Sequence, residues 1–115
     1  MHELSIATSI VDVALETAAR LDSSRVSAVN VRIGRLAGVD ADALRFSFDV
    51  VTQGTALEGA SLAIDELPVI VWCDRCERDV ELPAVNFLHC PVCDEITGII
   101  RQGKELEVIS LEIEE

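Results

Sequence analysis

The sequence predicts an α+β fold, in which two helices pack on a three-stranded sheet and a small cysteine-rich lobe is inserted between strands. Two observations predict this fold. Apolar residues recur at helical spacing in two segments and alternate with polar residues in three others. All four cysteines and all three prolines lie between residues 68 and 93, in the stretch that separates the second predicted strand from the last. With 115 residues, the chain is long enough for one domain and such a lobe.

Two segments predict amphipathic helices. The first runs from about Leu4 to Arg20, with an apolar stripe at spacings of three and four. The stripe consists of Leu4, Ala7, Val11, Ala14, Ala18 and Leu21. Asp22-Ser23-Ser24 is expected to end this helix. The second begins after Asp40, which suits an N-cap, and Gly54 is placed to cap its C-terminus. Its apolar residues are Leu44, Phe48 and Val51.

Three segments predict strands. From Val26 onward the period changes to two, and Val29, Val31 and Ile33 face one way. A second alternation contains Leu62 and Ile64. The last strand alternates through Ile109, Leu111 and Ile113. Because Leu106 and Val108 are in the opposite phase, we expect a bulge near Val108 or a change of buried face there.

The composition changes at Pro68 and predicts the domain boundaries. We expect residues 1–67 together with 105–115 to form the main α/β domain, and residues 68–104 to form the inserted lobe. The lobe has few large apolar residues, so it is too small to be stable through its core alone. A bound metal ion is expected to supply its folding free energy.

The cysteine spacing predicts a metal site of the zinc-ribbon kind. Cys73-x2-Cys76 and Cys90-x2-Cys93 form two pairs, and each two-residue gap allows a tight turn to point both sulfurs at one ion. Zinc is the preferred metal, and four cysteines would close its coordination shell, which indicates a structural site. The alternatives are two unrelated or redox-active thiol pairs, and a rubredoxin-like iron site.

The charge balance excludes two classes of partner. The chain has 9 Lys+Arg against 21 Asp+Glu, a net charge of −12 at pH 7. Proteins that bind nucleic acid or anionic membranes need clustered cations, so we expect neither kind of partner. The segment between Cys73 and Cys93 is itself acidic, although zinc ribbons often bind nucleic acid.

Few residues are suited to catalysis, and we expect that the protein is not an enzyme. His2 and His89 are the two histidines, and the four cysteines are assigned to metal. The first twenty residues lack the basic start and uninterrupted apolar run of a signal peptide. We therefore expect a cytoplasmic protein, in a compartment where cysteines are more often metal ligands than disulfides.

The amino terminus offers a second set of metal donors. The α-amine of Met1, the amide nitrogen and imidazole of His2, and Glu3 can chelate one ion through small fused rings, and Ni²⁺ and Cu²⁺ favour such nitrogen donors. Glu3 would contribute either a carboxylate or another amide nitrogen. The alternative is that His2 is a solvated residue, as a histidine near a terminus usually is.

The opening Met1-His2-Glu3-Leu4-Ser5 resembles that of the HypA/HybF family of nickel-incorporation accessory proteins of [NiFe]-hydrogenase maturation. Further matches follow in order along the chain. They are Val31-Arg32-Ile33-Gly34, Ala43-Leu44-Arg45-Phe46, Gly54-Thr55, Glu58-Gly59-Ala60, Trp72-Cys73 with Cys76, Cys90-Pro91 with Cys93, and Leu111-Glu112-Ile113. The resemblance implies a nickel metallochaperone, with Ni²⁺ as cargo held at Met1, His2 and Glu3. It also implies a structural zinc held by Cys73, Cys76, Cys90 and Cys93.

The resemblance further implies two partners, a nickel-handling GTPase and the precursor of the hydrogenase large subunit. His89 directly precedes Cys90, and we interpret it either as a residue that influences metal binding or as a solvated or hydrogen-bonded knuckle residue. The sequence thus predicts a nickel-delivery protein. The alternative is a zinc-stabilised interaction scaffold without a nickel site of its own.

Overall fold

The structure is a computed structural model that describes residues 2–21, 25–83 and 88–114. It contains two α-helices, one short 3-10 turn at Arg35–Ala37 and six strands. The helices are α1 (His2–Arg20) and α2 (Ala41–Val51). The strands are β1 (Val26–Gly34), β2 (Ser61–Leu67), β3 (Ile70–Cys73), β4 (Arg78–Glu81), β5 (Ile100–Gln102) and β6 (Leu106–Ile113). The predicted α+β class is confirmed. None of the described helices is both long and apolar enough to cross a bilayer.

Helix α1 begins at His2, two residues earlier than predicted. Glu3 lies in its first turn, where an acidic side chain interacts favourably with the helix dipole. The buried face consists of Ala7, Ile10, Val11, Ala14 and Ala18. Leu4 and Leu21, the two ends of the predicted stripe, are exposed, and Leu21 directly follows the last residue of the helix. The predicted break at residues 22–24 lies outside the described residues.

Helix α2 starts as predicted and ends earlier than predicted. The side chain of Asp40 accepts a hydrogen bond from the N–H of Ala43 at 3.0 Å, which makes Asp40 the N-cap. The C-cap is Thr52 and not Gly54, so that expectation is wrong. Thr52 closes the last turn by donating its N–H to Phe48 and its hydroxyl to Asp49. Gly54 does adopt a positive φ of 78°, but in the turn that follows the helix.

The first sheet has the strand order β2-β1-β6. Its central strand β1 buries Val29, Val31 and Ile33, as the alternation predicts. Ala28 is also buried, next to Val29, so the alternation changes phase within the strand. In β6 the half-buried positions include Val108 and Leu111, three residues apart, which is the expected change of phase.

The second sheet has the strand order β4-β3-β5 and carries the cysteine-rich segment. Strand β3 pairs antiparallel with both neighbours, and its register with β4 joins Cys73 to Arg78. A small core lies on this sheet. Its buried members are Val69, Val71, Cys73, Val80, Leu82 and Cys90.

The contacts between Cα atoms divide the chain into two compact units. One comprises Met1–Val31, Val39–Asp65 and Glu107–Glu115, and the other comprises Arg32–Gly38 and Glu66–Leu106. The short segment Arg32–Gly38 therefore belongs to the cysteine-bearing unit, where Leu36 packs on the core. The expectation that residues 68–104 form an inserted lobe concerns which parts of the chain fold independently. It stays a prediction.

Candidate metal sites

Two tight turns present the four cysteines. The first turn follows β3, and the N–H of Cys76 donates to Sγ of Cys73 at 3.4 Å. The second is a hairpin in which His89 and Ile96 form a bridge and the N–H of Val92 donates to Sγ of Cys90 at 3.4 Å. Each turn thus directs backbone N–H groups at its own first sulfur, which stabilises negative charge there.

The four sulfur atoms converge on one point. All lie within 4.8 Å of one another, with Cys73 Sγ 3.5 Å from Cys93 Sγ and Cys76 Sγ 3.9 Å from Cys90 Sγ. Four sulfurs at the usual Zn–S distance of about 2.3 Å from one ion are about 3.8 Å apart in a regular tetrahedron. The measured separations bracket that value, so the cluster is compatible with a structural zinc.

Both turns contain a residue with a left-handed backbone directly after the second cysteine. Glu77 follows Cys76 with φ of 52°, and Asp94 follows Cys93 with φ of 62°. This conformation is uncommon for residues other than glycine and costs roughly 1–2 kcal/mol. The left-handed residue thus occupies the equivalent position in both turns.

The thiols differ in their readiness to lose a proton. A hydrogen bond with the Cys93 thiol, followed by burial, raises the pKa of Cys76 to about 12. Burial acts to raise the pKa of Cys90, but the N–H groups of Cys93 and Val92 outweigh it and lower that pKa to about 7. A divalent ion must displace the remaining thiol protons, so its affinity for the cluster should increase with pH.

The cluster is closed to water on its inner side. Cys73 and Cys90 are fully buried, and Cys76 and Cys93 are half-buried. Buried Thr97 ties the second turn to the sheet, because its hydroxyl donates to the carbonyl of Trp72 at 2.6 Å. With four protein sulfurs available, an ion here has no open position for substrate or reactive water, which is the arrangement of a structural site.

His89 directly precedes Cys90 in the hairpin of the second turn. Its Nε2 atom is 3.7 Å from Oδ1 of Asp94, and its side chain is 41 % exposed. In the described parts of the chain, the group of metal-binding side chains consists of the four cysteines, without His89. His89 therefore matches the interpretation of a partly solvated knuckle residue with a polar neighbour.

The second candidate site is the first turn of α1. His2 Nε2 lies 3.0 Å from Oε2 of Glu3, and the backbone N–H of Asp40 donates to the same oxygen at 3.2 Å. The His2 side chain is 57 % exposed, whereas that of Glu3 is only 13 % exposed. One carboxylate therefore connects the imidazole to the N-cap of α2. Met1, the third predicted nickel ligand, lies outside the described residues.

The hydrogen bond from Asp40 also favours the charged form of Glu3. It is the main cause of a lowered pKa for the Glu3 carboxyl, to which the nearby His2 makes a smaller contribution. Sequence reasoning identified Asp40 as an N-cap but missed this contact. A backbone N–H that reaches a side chain thirty-seven residues away leaves no signal in residue type or spacing.

Comparison with known proteins decides the family. The family model described as hydrogenase/urease nickel incorporation, metallochaperone, HypA matches residues 1–113. The chain belongs to the HypA family. The family that the opening motif and the cysteine pattern resemble is thereby confirmed.

Similar curated proteins cover almost the whole chain. The hydrogenase maturation factor HypA of Chloroflexus aurantiacus is 52 % identical over 112 residues, which are 97 % of this chain and 98 % of that protein. The hydrogenase maturation factor HypA of a Roseiflexus species is 48 % identical over 115 residues, which are 100 % of this chain and 94 % of that protein. These relatives place the chain among HypA maturation factors.

Solved HypA structures share the fold. The solution structure of the nickel metallochaperone HypA from Helicobacter pylori is similar with a TM-score of 0.66 and 25 % identity, and 96 % of each chain is covered. A second solution structure of a HypA protein gives a TM-score of 0.71 and 26 % identity, over 98 % of this chain and 96 % of that one. The two helices, two small sheets and four-cysteine cluster are thus the architecture of a HypA protein.

Proposed function

We propose that this protein binds Ni²⁺ at its amino terminus and delivers it during [NiFe]-hydrogenase maturation. The proposed ligands are the α-amine of Met1, His2 and Glu3. The observation that carries the proposal is the exposed His2 imidazole in the first turn of α1, beside a carboxylate anchored on Asp40. In a HypA family member, this arrangement keeps a nitrogen donor accessible at a fixed position.

The donor set suits a cargo ion. An amine, amide nitrogens and an imidazole are the ligands that Ni²⁺ accepts in a tetragonal arrangement. The Glu3 carboxylate already accepts from Asp40, so we assign its backbone nitrogen to the metal and its side chain to holding the terminus in place. The first turn of a helix is electropositive, which weakens the binding of a cation and favours release.

We assign a separate, structural role to zinc, bound by Cys73, Cys76, Cys90 and Cys93. The sulfur separations support this assignment, and a closed sulfur shell leaves nickel to the other site. Delivery needs binding and release and no chemical transformation, so we propose that the protein is not an enzyme. Its free cysteines suit a reducing compartment, and we place it in the cytoplasm.

We propose the two partners that the family resemblance implies. One is a nickel-handling GTPase, and the other is the precursor of the hydrogenase large subunit, which would receive the ion. The net charge of −12 supports protein partners and opposes nucleic acid and anionic membranes.

The nickel site is tested by two dissimilar changes that should have the same effect. His2→Ala removes the imidazole, and an amino-terminal extension removes the free amine while it leaves His2 in place. Each should abolish stoichiometric Ni²⁺ binding in calorimetric titration of untagged, zinc-loaded protein. Zinc content and the thermal midpoint should stay close to those of the unaltered protein, since His2 is an exposed residue of a helix end.

His89→Ala is the matched control, because it removes the other histidine of the chain. It should leave the nickel stoichiometry unchanged. Undiminished nickel binding by the His2→Ala protein would contradict the proposed site. If the unaltered protein bound zinc and both partners but no nickel, it would be the interaction scaffold instead.

A further inference from the structure

The outer face of α2 exposes an aromatic side chain in a chain that has few. Phe46 is 72 % exposed and Val50, one turn later, is 48 % exposed. Phe46 is one of four aromatic residues in the chain, which has 3 Phe, 1 Trp and no Tyr. Residues four apart on a helix are neighbours, and the two side chains form one apolar strip.

This strip is separate from the buried face of the same helix. Leu44 and Phe48 are fully buried and attach α2 to the core. Phe46 is offset from both and adds little to that packing. The N-cap Asp40 and the C-cap Thr52 fix the two ends of the helix, so the strip is held on a rigid element. A rigid surface loses little conformational entropy when a partner covers it.

The strip is bordered by acidic side chains. Asp42 precedes Phe46 by one turn and its side chain is 98 % exposed, and Asp49 is exposed one turn after it. Arg45 pairs with Asp42 at 3.7 Å, which leaves the border with a net negative charge. We define the α2 face as Asp42, Phe46, Asp49 and Val50.

The charge decides what can cover the α2 face. A second copy of the chain also carries −12, and pairing α2 faces symmetrically would place acidic borders opposite each other. A protein with an apolar pocket rimmed by lysine or arginine avoids that repulsion and complements both the strip and its border. An aromatic residue that fills such a pocket is the usual centre of a binding energy hot spot.

We propose that the α2 face is the docking surface for a maturation partner that presents an apolar pocket with a basic rim, and that Phe46 is the residue that enters the pocket. This inference rests on the proposed function for the existence of such partners. It assigns docking to a surface of α2, and nickel binding to other residues.

The test measures binding of two purified proteins, the nickel-handling GTPase and the large-subunit precursor of the same organism, to the zinc-loaded full chain. Phe46→Ser should weaken the binding of at least one of them by roughly tenfold or more. Leu21→Ser is the matched control, because it removes another exposed apolar side chain, at 61 % exposure, from the end of α1. It should leave binding unchanged.

A second pair of variants, which change the net charge by the same amount, tests the border. Asp49→Lys should weaken binding by about threefold or more, whereas Asp12→Lys, on an exposed position of α1, should have a smaller effect. Both raise the net charge equally, so a difference between them reports the position and not the total charge. The same binding should weaken as salt is added.

Three outcomes would overturn the proposal. The first is that Phe46→Ser leaves the binding of both proteins unchanged. The second is that the unaltered chain is a dimer in light scattering and Phe46→Ser makes it a monomer, because the face would then be occupied by a second copy. The third is that the unaltered chain binds neither protein. Nickel titration distinguishes a failure of this docking proposal from a failure of the proposed nickel site, because Phe46→Ser should bind nickel with the stoichiometry of the unaltered protein.

Discussion

At the scale of single residues, the Glu3 carboxylate is the group that connects the first turn of α1 to the start of α2. It accepts the N–H of Asp40 at 3.2 Å and lies 3.0 Å from His2 Nε2. Hydrogen bonding to the charged form of a carboxyl favours ionisation. The contact therefore favours the charged form of Glu3 beside the imidazole and connects the first turn of α1 to the start of α2.

We predict that the Glu3 carboxyl titrates below its usual value of 4.5 and that the Asp40 N–H is the main reason. Asp40→Pro removes that N–H and should therefore return the pKa of Glu3 toward 4.5. Proline should be accommodated here, because φ of −82° at this position lies near the range that proline adopts. Asp40→Ala removes only the capping carboxylate and should leave the pKa low. NMR titration of the Glu3 side chain in the three proteins checks this.

The sign of the pH effect follows from the direction of that shift. Because the folded-state pKa of Glu3 is lowered, its contribution to stability is present above its ordinary value and is lost as the pH falls through the folded-state value. Asp40→Pro should lose this contribution. Equal Glu3 titration in the Pro and Ala variants would contradict the assigned cause.

At the scale of elements, the 3-10 turn after β1 is fixed by a close approach of two backbone segments. The N–H of Gly34 donates to the carbonyl of Glu105 at 2.8 Å, and the N–H of Leu36 donates to that of Gly103 at 2.7 Å. A side-chain carbon on Gly34 would overlap the backbone carbonyl of Gly103. Only glycine allows this approach, through which Leu36 reaches the core of the cysteine-bearing unit.

We predict that Gly34→Ala destabilises the protein by about 3 kcal/mol, because backbone cannot move aside as a flexible side chain can. Gly98→Ala is the matched control, since a methyl group there meets nothing within 4 Å. It should change stability by less than about 0.5 kcal/mol. Urea unfolding of both zinc-loaded variants measures the difference, and equal stabilities would show that the close approach is relieved at low cost.

At the scale of the whole molecule, two spectroscopic signals report different parts of the chain. Both helices lie between His2 and Val51, so the helical circular dichroism reports that region. Trp72 is the single tryptophan, beside Cys73, with the Arg101 guanidinium 5.2 Å from its ring. Its fluorescence therefore reports the region of the cysteine cluster.

We predict that a strong chelator unfolds residues 68–104 and leaves residues 1–67 with 105–115 folded. The Trp72 emission should shift to longer wavelength while the helical signal keeps most of its amplitude, since metal binding supplies the folding free energy of a lobe with a small core. Cys73→Ser and Cys90→Ser should have the same effect without chelator. A simultaneous loss of both signals would show that the two parts unfold as one unit.

The sequence by itself determined the α+β class, both helices, the strands β1, β2 and β6, and the placement of four cysteines in two short turns, whereas β3, β4 and β5 were not predicted. These features are local, because helix and strand periods, an N-cap and a two-residue cysteine gap are each read within a few residues. The family resemblance depends on motifs in order along the chain, of which the amino-terminal segment and the cysteine pattern are the most specific. The end of α2 was misplaced because Thr52, and not a glycine, closes its last turn.

Only the tertiary structure decided which distant groups meet. It brought the N–H of Asp40 to Glu3, Gly34 to Gly103, and the hydroxyl of Thr97 to the carbonyl of Trp72. The exposure of Phe46, by contrast, agrees with the helical spacing, since Phe46 lies outside the predicted stripe of Leu44, Phe48 and Val51. Backbone groups are present at every position and carry no sequence signal. Which of these groups meet is therefore settled by the folded chain and not by the order of its residues.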